Sequence, residues 1–140
     1  MKSRRLFSTL VLCLAMQPIY GVSAQSMMRS THDNHLIESY VAYISNNDLF
    51  NSSGDRLTQP WQIIRQDRAN FHRFGLRDPG DESDSFFASA KNRAIMEQML
   101  ANGRISPQAA LDVIRGGALV LVQIFGSGSI GRCVVVTTAH

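Results

Sequence analysis

Two apolar runs close the chain, Ala118 to Phe125 and Ile130 to Thr137, and Gly126-Ser127-Gly128-Ser129 joins them. β-Branched residues fill both runs and turn residues make the joint, so the pattern predicts a β-hairpin. Val120, Val122 and Ile124 fall on one face of its first strand, and Leu119 and Leu121 on the other. A two-stranded ribbon that is apolar on both sides does not stand alone in water. It needs another strand beside it and a helical layer over it, and the rest of the chain must supply both.

The strand comes from Glu38 to Ser45, where Tyr40, Ala42 and Ile44 alternate with Val41 and Tyr43. Asn46-Asn47-Asp48 and Asn51-Ser52-Ser53-Gly54-Asp55 are turn chemistry on either side of Leu49-Phe50, which predicts a short return strand there. Thr58 is placed to cap a helix with Pro60 in its first turn. Trp61, Ile64, Arg68 and Phe71 recur at helical spacing. The helix is expected to run to about Phe74, stop at Gly75, and bury its Trp61–Ile64–Phe71 side. Asp78-Pro79-Gly80-Asp81 reads as a loop. Asp84 or Ser85 then caps a second helix reaching Asn102-Gly103, with Phe87, Ala88, Ala94, Ile95 and Met99 as its buried stripe. Ser106-Pro107 opens a third helix that Gly116-Gly117 ends. Strand, helices and hairpin in that order predict an α+β domain. Its sheet is small and mostly antiparallel, one N-terminal strand plus the C-terminal hairpin, packed against about three helices.

Met1 to Ala24 read as an address rather than as part of this domain. Lys2, Arg4 and Arg5 precede an apolar run from Leu6 to Met16, and Val22-Ser23-Ala24 has the small-residue pattern of a signal-peptidase site. The run is shorter than the ~20 residues of a spanning helix, and no later stretch is long enough, so no membrane embedding is expected. Cleavage after Ala24 leaves Gln25 first, and residues 25–36 are polar and expected to be flexible. Residues 37–140 then form the single domain. Ser3-Arg4-Arg5-Leu6-Phe7 resembles a twin-arginine export signal, although Ser8 and Thr9 depart from it. Leu12 before Cys13 argues against a lipid anchor.

The leader also carries the charge asymmetry. The whole chain has 14 basic and 11 acidic side chains, for a net charge of +3. Without Lys2, Arg4 and Arg5 the two signs balance. A nucleic-acid binder ordinarily shows a basic excess, so nucleic acid is not an expected partner. Cys133 is left as the only cysteine after cleavage, so no intrachain disulfide can form and the domain must hold by packing. In its apolar run Cys133 reads as a small buried side chain, with an intermolecular disulfide as the alternative.

Polar groups are densest from Asn51 to Asp84. Through Asn51-Ser52-Ser53-Gly54-Asp55-Arg56-Leu57, then Arg65-Gln66-Asp67-Arg68-Ala69-Asn70, and on to Phe86-Phe87, the chain resembles a group of small uncharacterised exported bacterial proteins. That resemblance implies export and a shared fold, and it supplies no catalytic residue. On a regular helix Arg65, Arg68 and His72 fall near one face, with Arg73 and Arg77 following as a basic block. Asp78, Asp81, Glu82 and Asp84 form an acidic block directly after it. Arginine suits pairing with such carboxylates through its planar fork, so the two blocks are expected to neutralise each other across a partly exposed contact. The alternative is an anion site made by Arg65, Arg68 and His72, with Arg73 and Glu82 beside it. A calcium site in the acidic block lacks the alternating ligands of a calcium loop. His32 and His35 have an i, i+3 spacing but fall in the stretch expected to be flexible, His140 is the last residue, and no Cys/His cluster has zinc spacing, so no metal and no cofactor are expected.

His72 with Asp67 or Glu82 would make a general base and its orienting carboxylate, but five residues separate Asp67 from His72 on the helix. No nucleophile elbow, phosphate loop or metalloprotease motif occurs. The favoured expectation is therefore a small non-enzymatic binding protein of the periplasm or exterior, inhibitor and immunity proteins being one such class. Its partner would be a protein or a cell-envelope component, met through Arg65, Arg68, His72, Arg73 and Glu82. The alternative is a small envelope hydrolase or anion-binding enzyme using the same segment.

Overall fold

The computed structural model describes residues 34–139, so the expected leader, Cys13, His32, His140 and most of the segment 25–36 lie outside the described residues. β1 (His35–Ile44) is followed by a 3-10 turn (Asn46–Leu49) and by α1 (Pro60–Ala69), which runs on as a π turn (Asn70–Phe74). α2 (Ala90–Ala94), α3 (Met96–Asn102), β2 (Arg104–Ile105) and α4 (Pro107–Arg115) lead into the hairpin of β3 (Ala118–Ser127) and β4 (Ile130–Thr138). The strands lie in the order β1-β3-β4-β2. β3 is antiparallel to both β1 and β4, and β2 joins β4 in parallel. The fold is thus α+β as expected, with a mixed sheet and four helices among the described residues.

Register decides which side chains meet. Tyr40, Ala42 and Ile44 stand opposite Val122, Val120 and Ala118, and Val122 and Ile124 stand opposite Val136 and Val134. These residues, apart from Ala118, are fully buried under Ile63, Ile64, Phe87, Met96, Met99, Ala109 and Val113. Each large aliphatic side chain taken out of water in this way contributes roughly 1.5–3 kcal/mol. The helices cover this one face. Val41, Tyr43, Leu119, Leu121, Phe125 and Val135 point the other way, are half-buried, and lie outside the core. Cys133, expected to be buried, is also half-buried there, opposite Phe125.

Several local expectations are corrected. Leu49-Phe50 do not start a return strand: Asn46–Leu49 wind into a 3-10 turn, and Phe50 makes one isolated bridge to Arg56. Asp48 causes this by accepting hydrogen bonds from the Ser45 N–H at 2.8 Å and the Ser45 hydroxyl at 2.9 Å. β1 begins at His35, so His35 and Leu36 are paired with β3 rather than part of a free segment. α1 is entered through Gln59, not Thr58, with the Gln62 amide oxygen accepting from the Thr58 and Gln59 N–H groups. The second predicted helix is two. Asp84 Oδ1 accepts from the Phe87 N–H at 2.6 Å and closes a turn, so α2 starts later, at the cap Ser89. Ile95, at φ −96° and ψ 8°, then breaks α2 from α3. The buried residues there are Phe86, Phe87, Arg93, Met96 and Met99, whereas Ala88, Ala94 and Ile95 are exposed. Arg93 is the unexpected member; its guanidinium donates to the Phe87 and Ala88 carbonyls.

β1 is an edge strand, and edges left open invite pairing with other chains. Side chains close this one. Glu82 Oε2 accepts from the Val41 N–H and Asp81 Oδ1 from the Tyr43 N–H, both at 2.8 Å. The Glu82 N–H in turn donates to the Val41 carbonyl at 2.8 Å. Further up the strand, Glu38 takes the Ser85 and Phe86 N–H groups at 2.8 and 2.9 Å. The acidic block therefore substitutes for a neighbouring strand.

Candidate functional site

α1 divides its polar residues between two sides. Ile63, Ile64, Asp67, Arg68 and Phe71 are buried, while Arg65 and Arg73 are exposed. Arg68 is fully buried between two rings, its guanidinium carbon 4.4 Å from the centroid of Tyr40 and 4.5 Å from that of Phe71. Its Nε donates to Asp67 at 2.7 Å, and its Nη1 donates to Asp84 and to the Glu82 carbonyl, each at 3.1 Å. Its Nη2 lies 3.9 Å from Asp81. His72 reaches the same Asp84 oxygen through Nε2 at 2.8 Å. The expected neutralisation of the two blocks thus centres on Arg68, but inside the protein instead of at a partly exposed contact.

Burial sets the titration of this cluster. It pushes the Asp67 carboxyl up to about 7, against the pull of Arg68. It also works against the Arg68 cation, but Asp67 with Tyr40 and Asp84 outweighs it and holds Arg68 above its ordinary value. The Tyr40 phenol is driven well above its usual range by burial, so it stays neutral. Alongside, Asn70 donates to Asp48 at 2.8 Å, tying the π turn to the 3-10 turn.

The exposed side of α1 forms a groove. Its opposite wall is Asn51, Ser52 and Leu57, at the start and just past the end of the Asn51–Asp55 loop, which closes on itself: Asn51 Oδ1 accepts from the Ser53 and Asp55 N–H groups, each at 2.9 Å, and Gly54 turns at φ 85°. Trp61, Gln62, Arg65, Gln66, Arg73 and Phe74 line the helix side around a cavity of about 610 Å³. That is the size of a small-ligand pocket. A shallower hollow shares Asn51, Gln66 and Phe74 with it and continues past Asn46, Phe50 and Leu76. Phe74 and Leu76 are each 52% exposed, and Arg73 rests over the Phe74 ring at 5.1 Å. No carboxylate lines either hollow. The surface combines aromatic faces, amides and two guanidiniums, a set suited to holding an anionic group beside an apolar one.

The five sequence-chosen residues do not converge. Arg65 and Arg73 line the groove, Arg68 and His72 belong to the buried cluster, and Glu82 holds the β1 edge on the far side of that cluster. The π turn contributes, because its extra residue rotates His72 and Arg73 out of the spacing a regular α-helix would give them. The carboxylate partner of His72 is Asp84, neither Asp67 nor Glu82. Trp61, expected in the core, is half-buried and walls the groove. Asn51, Gln62, Gln66 and Phe74 are not among the site residues chosen from the sequence; the signal available is a tryptophan four residues before an arginine on a helix entered by turn chemistry. Asp78, Asp81, Glu82 and Asp84 do not form a calcium shell, and among the described residues no group of three or more His, Cys, Asp or Glu could hold a metal ion. Among the same residues no helix is long and apolar enough to cross a membrane. Comparison with protein-family models, with curated proteins and with solved structures gives no match.

Proposed function

We infer that this chain is an exported binding protein whose groove between α1 and the Asn51–Asp55 loop receives an anionic group carried by a protein or an envelope component. The observation that carries this reading is the lining itself: Arg65 and Arg73 face an open cavity with Trp61 and Phe74 and no carboxylate neutralises them there. Aromatic residues and arginine are the side chains most enriched where proteins meet partners. Binding is supported over catalysis because the groups a hydrolase would need are separated. The Asp84 carboxylate beside His72 already serves Arg68 and the Phe87 N–H, and it is buried. Inhibitor and immunity proteins of the envelope are one class that fits, and membership in the exported group resembled through residues 51–57, 65–70 and on to 86–87 belongs to the same proposal.

The test is capture from the envelope extract of the producing cell, with the processed protein as bait and an Arg65→Glu/Arg73→Glu variant beside it. Both arginines are exposed, so the variant should melt within about 0.5 kcal/mol of the parent. The expected result is a partner retained by the parent and lost by the variant, with retention weakened by salt. Equal capture by both proteins would remove the groove from the function.

A further inference from the structure

The face of the sheet turned away from the helices is apolar and neutral across β1, β3 and β4, and its one charge on a strand, exposed Arg104, lies at the margin, on the short edge strand β2 beside Val135. Ser39, Val41 and Tyr43 of β1 stand beside Gln123, Leu121 and Leu119 of β3, and Leu121, Gln123 and Phe125 stand beside Thr137, Val135 and Cys133 of β4. Apart from exposed Ser39, each of these residues is half-buried, and none packs against the core that the helices share with the opposite face. The Asp78–Asp81 turn reaches one corner, where Gly80 approaches Leu119. The antiparallel sheet of an isolated domain ordinarily alternates apolar-in with polar-out. Here the outward set is Val, Leu, Leu, Phe, Val and Cys, broken by four neutral polar residues.

We propose that this face is the contact between two copies of the chain, packed sheet on sheet about a two-fold axis. The choice of a second copy over a different partner rests on the polar residues. A two-fold interface sets the same patch against itself, so a charged residue near its centre would face its own kind. Ser39, Tyr43, Gln123 and Thr137 are all neutral and each both donates and accepts hydrogen bonds, so each can be satisfied by its own copy. Gln123 lies at the middle of the face, on the central strand, where amide can meet amide. The charged groove on α1 is elsewhere and remains open in such a dimer.

Size sets the strength. Three strands about 4.8 Å apart and some seven residues long at about 3.3 Å each give a footprint near 15 Å by 23 Å. With the relief of the side chains, two copies would bury roughly 1,000 Å², the lower end for a specific interface. Area does not set affinity, but interfaces at that end belong to the weak, transient class, so a dissociation constant of order 10 µM is the scale to test, with aligned packing of the two sheets about 10 Å apart.

Sedimentation of the processed protein, expressed with its leader and purified from the cell, tests this across concentrations from ~1 to ~200 µM, bracketing that constant. The expected result is a monomer at the low end passing to a dimer at the high end. Gln123→Glu places like charges face to face and should weaken dimerisation at least tenfold while leaving the monomer folded by circular dichroism. Leu121→Lys serves as the second variant and should do the same. A wild type that stays monomeric at the highest concentration overturns the proposal, whether residues 25–33 or another protein take the face. A dimer unaffected in both variants, or in whichever of them folds, overturns it equally.

Discussion

Replacing Arg68 by methionine keeps the apolar stem between Tyr40 and Phe71 and removes the cation that faces Asp67, Asp84 and Asp81 at 2.7, 3.1 and 3.9 Å. The three carboxylates are then left together beneath the sheet edge. Asp67, already pushed to about 7 by burial, loses its main counter-charge and becomes neutral at neutral pH. Asp84 keeps the Phe87 N–H and His72, and Asp81 keeps the Tyr43 and Asp78 N–H groups, so part of the charge remains satisfied. Removing one partner from a buried ionic cluster costs about 3–5 kcal/mol, against about 0–1 for an exposed pair. Urea unfolding of the parent and Arg68→Met should therefore differ by about 3–5 kcal/mol near pH 8. The difference should shrink as pH falls from 8 to about 5, where Asp67 is protonated in both proteins, and it should barely change with salt because the site is closed to ions. A loss under about 1 kcal/mol, or one that added salt abolishes, would refute the buried cluster and return Arg68 to the surface.

Asp67 has a folded value near 7 against 3.8 for the free group, so the native state holds its proton longer. Its contribution to stability is fully present below about 4 and is lost as pH rises through 7, and Asp67→Asn should flatten that slope in unfolding curves taken across the range. Gly103→Ala would put a methyl 1.8 Å from the Val134 carbonyl oxygen, backbone that cannot swing aside; it should destabilise by roughly 2–3 kcal/mol in the same assay, and a neutral result would contradict the close approach of the α3 end to β4. Deleting residues 118–140 removes β3 and β4, the two central strands of the sheet, and should leave an insoluble or non-cooperative product; a soluble fragment with a sharp melt would contradict the sheet order.

The elements that local chemistry specifies are the ones the sequence made legible. α4 shows its cap Ser106, its Pro107 and its closing Gly116 in order, and the hairpin shows its alternation and its Gly128 at φ 59°. β2 could not be found that way. Its two residues pair because the Ser106 N–H donates to the Val136 carbonyl and draws the chain alongside β4, which is a tertiary event. The burial of Arg68 lay half in view: Ile64, Asp67, Arg68 and Phe71 share the inward stripe, but charge argued for the surface. Only the spatial approach of Asp84, sixteen residues on, reverses that preference. The π turn at Asn70 has no local signature, and without it the basic residues read as one face.

Residues 34–139 carry ten basic and ten acidic side chains, a balance that would suggest a surface of evenly mixed sign, yet the fold partitions the charges. Glu38, Asp81 and Glu82 accept from backbone N–H groups along β1 and its flanking loop, Asp48 binds Ser45 and Asn70, and Asp67 and Asp84 surround Arg68. These carboxylates are occupied by structure and turned away from the groove. Arg65 and Arg73 have no such partner in its walls and remain exposed on the outer side of α1. An overall neutral domain can therefore present a locally cationic surface without the extended basic stripe that tracking a polyanion requires. Two guanidiniums between a tryptophan and a phenylalanine suit one anionic group set in an apolar surround, and the rigid cluster beneath them fixes their spacing before any partner arrives.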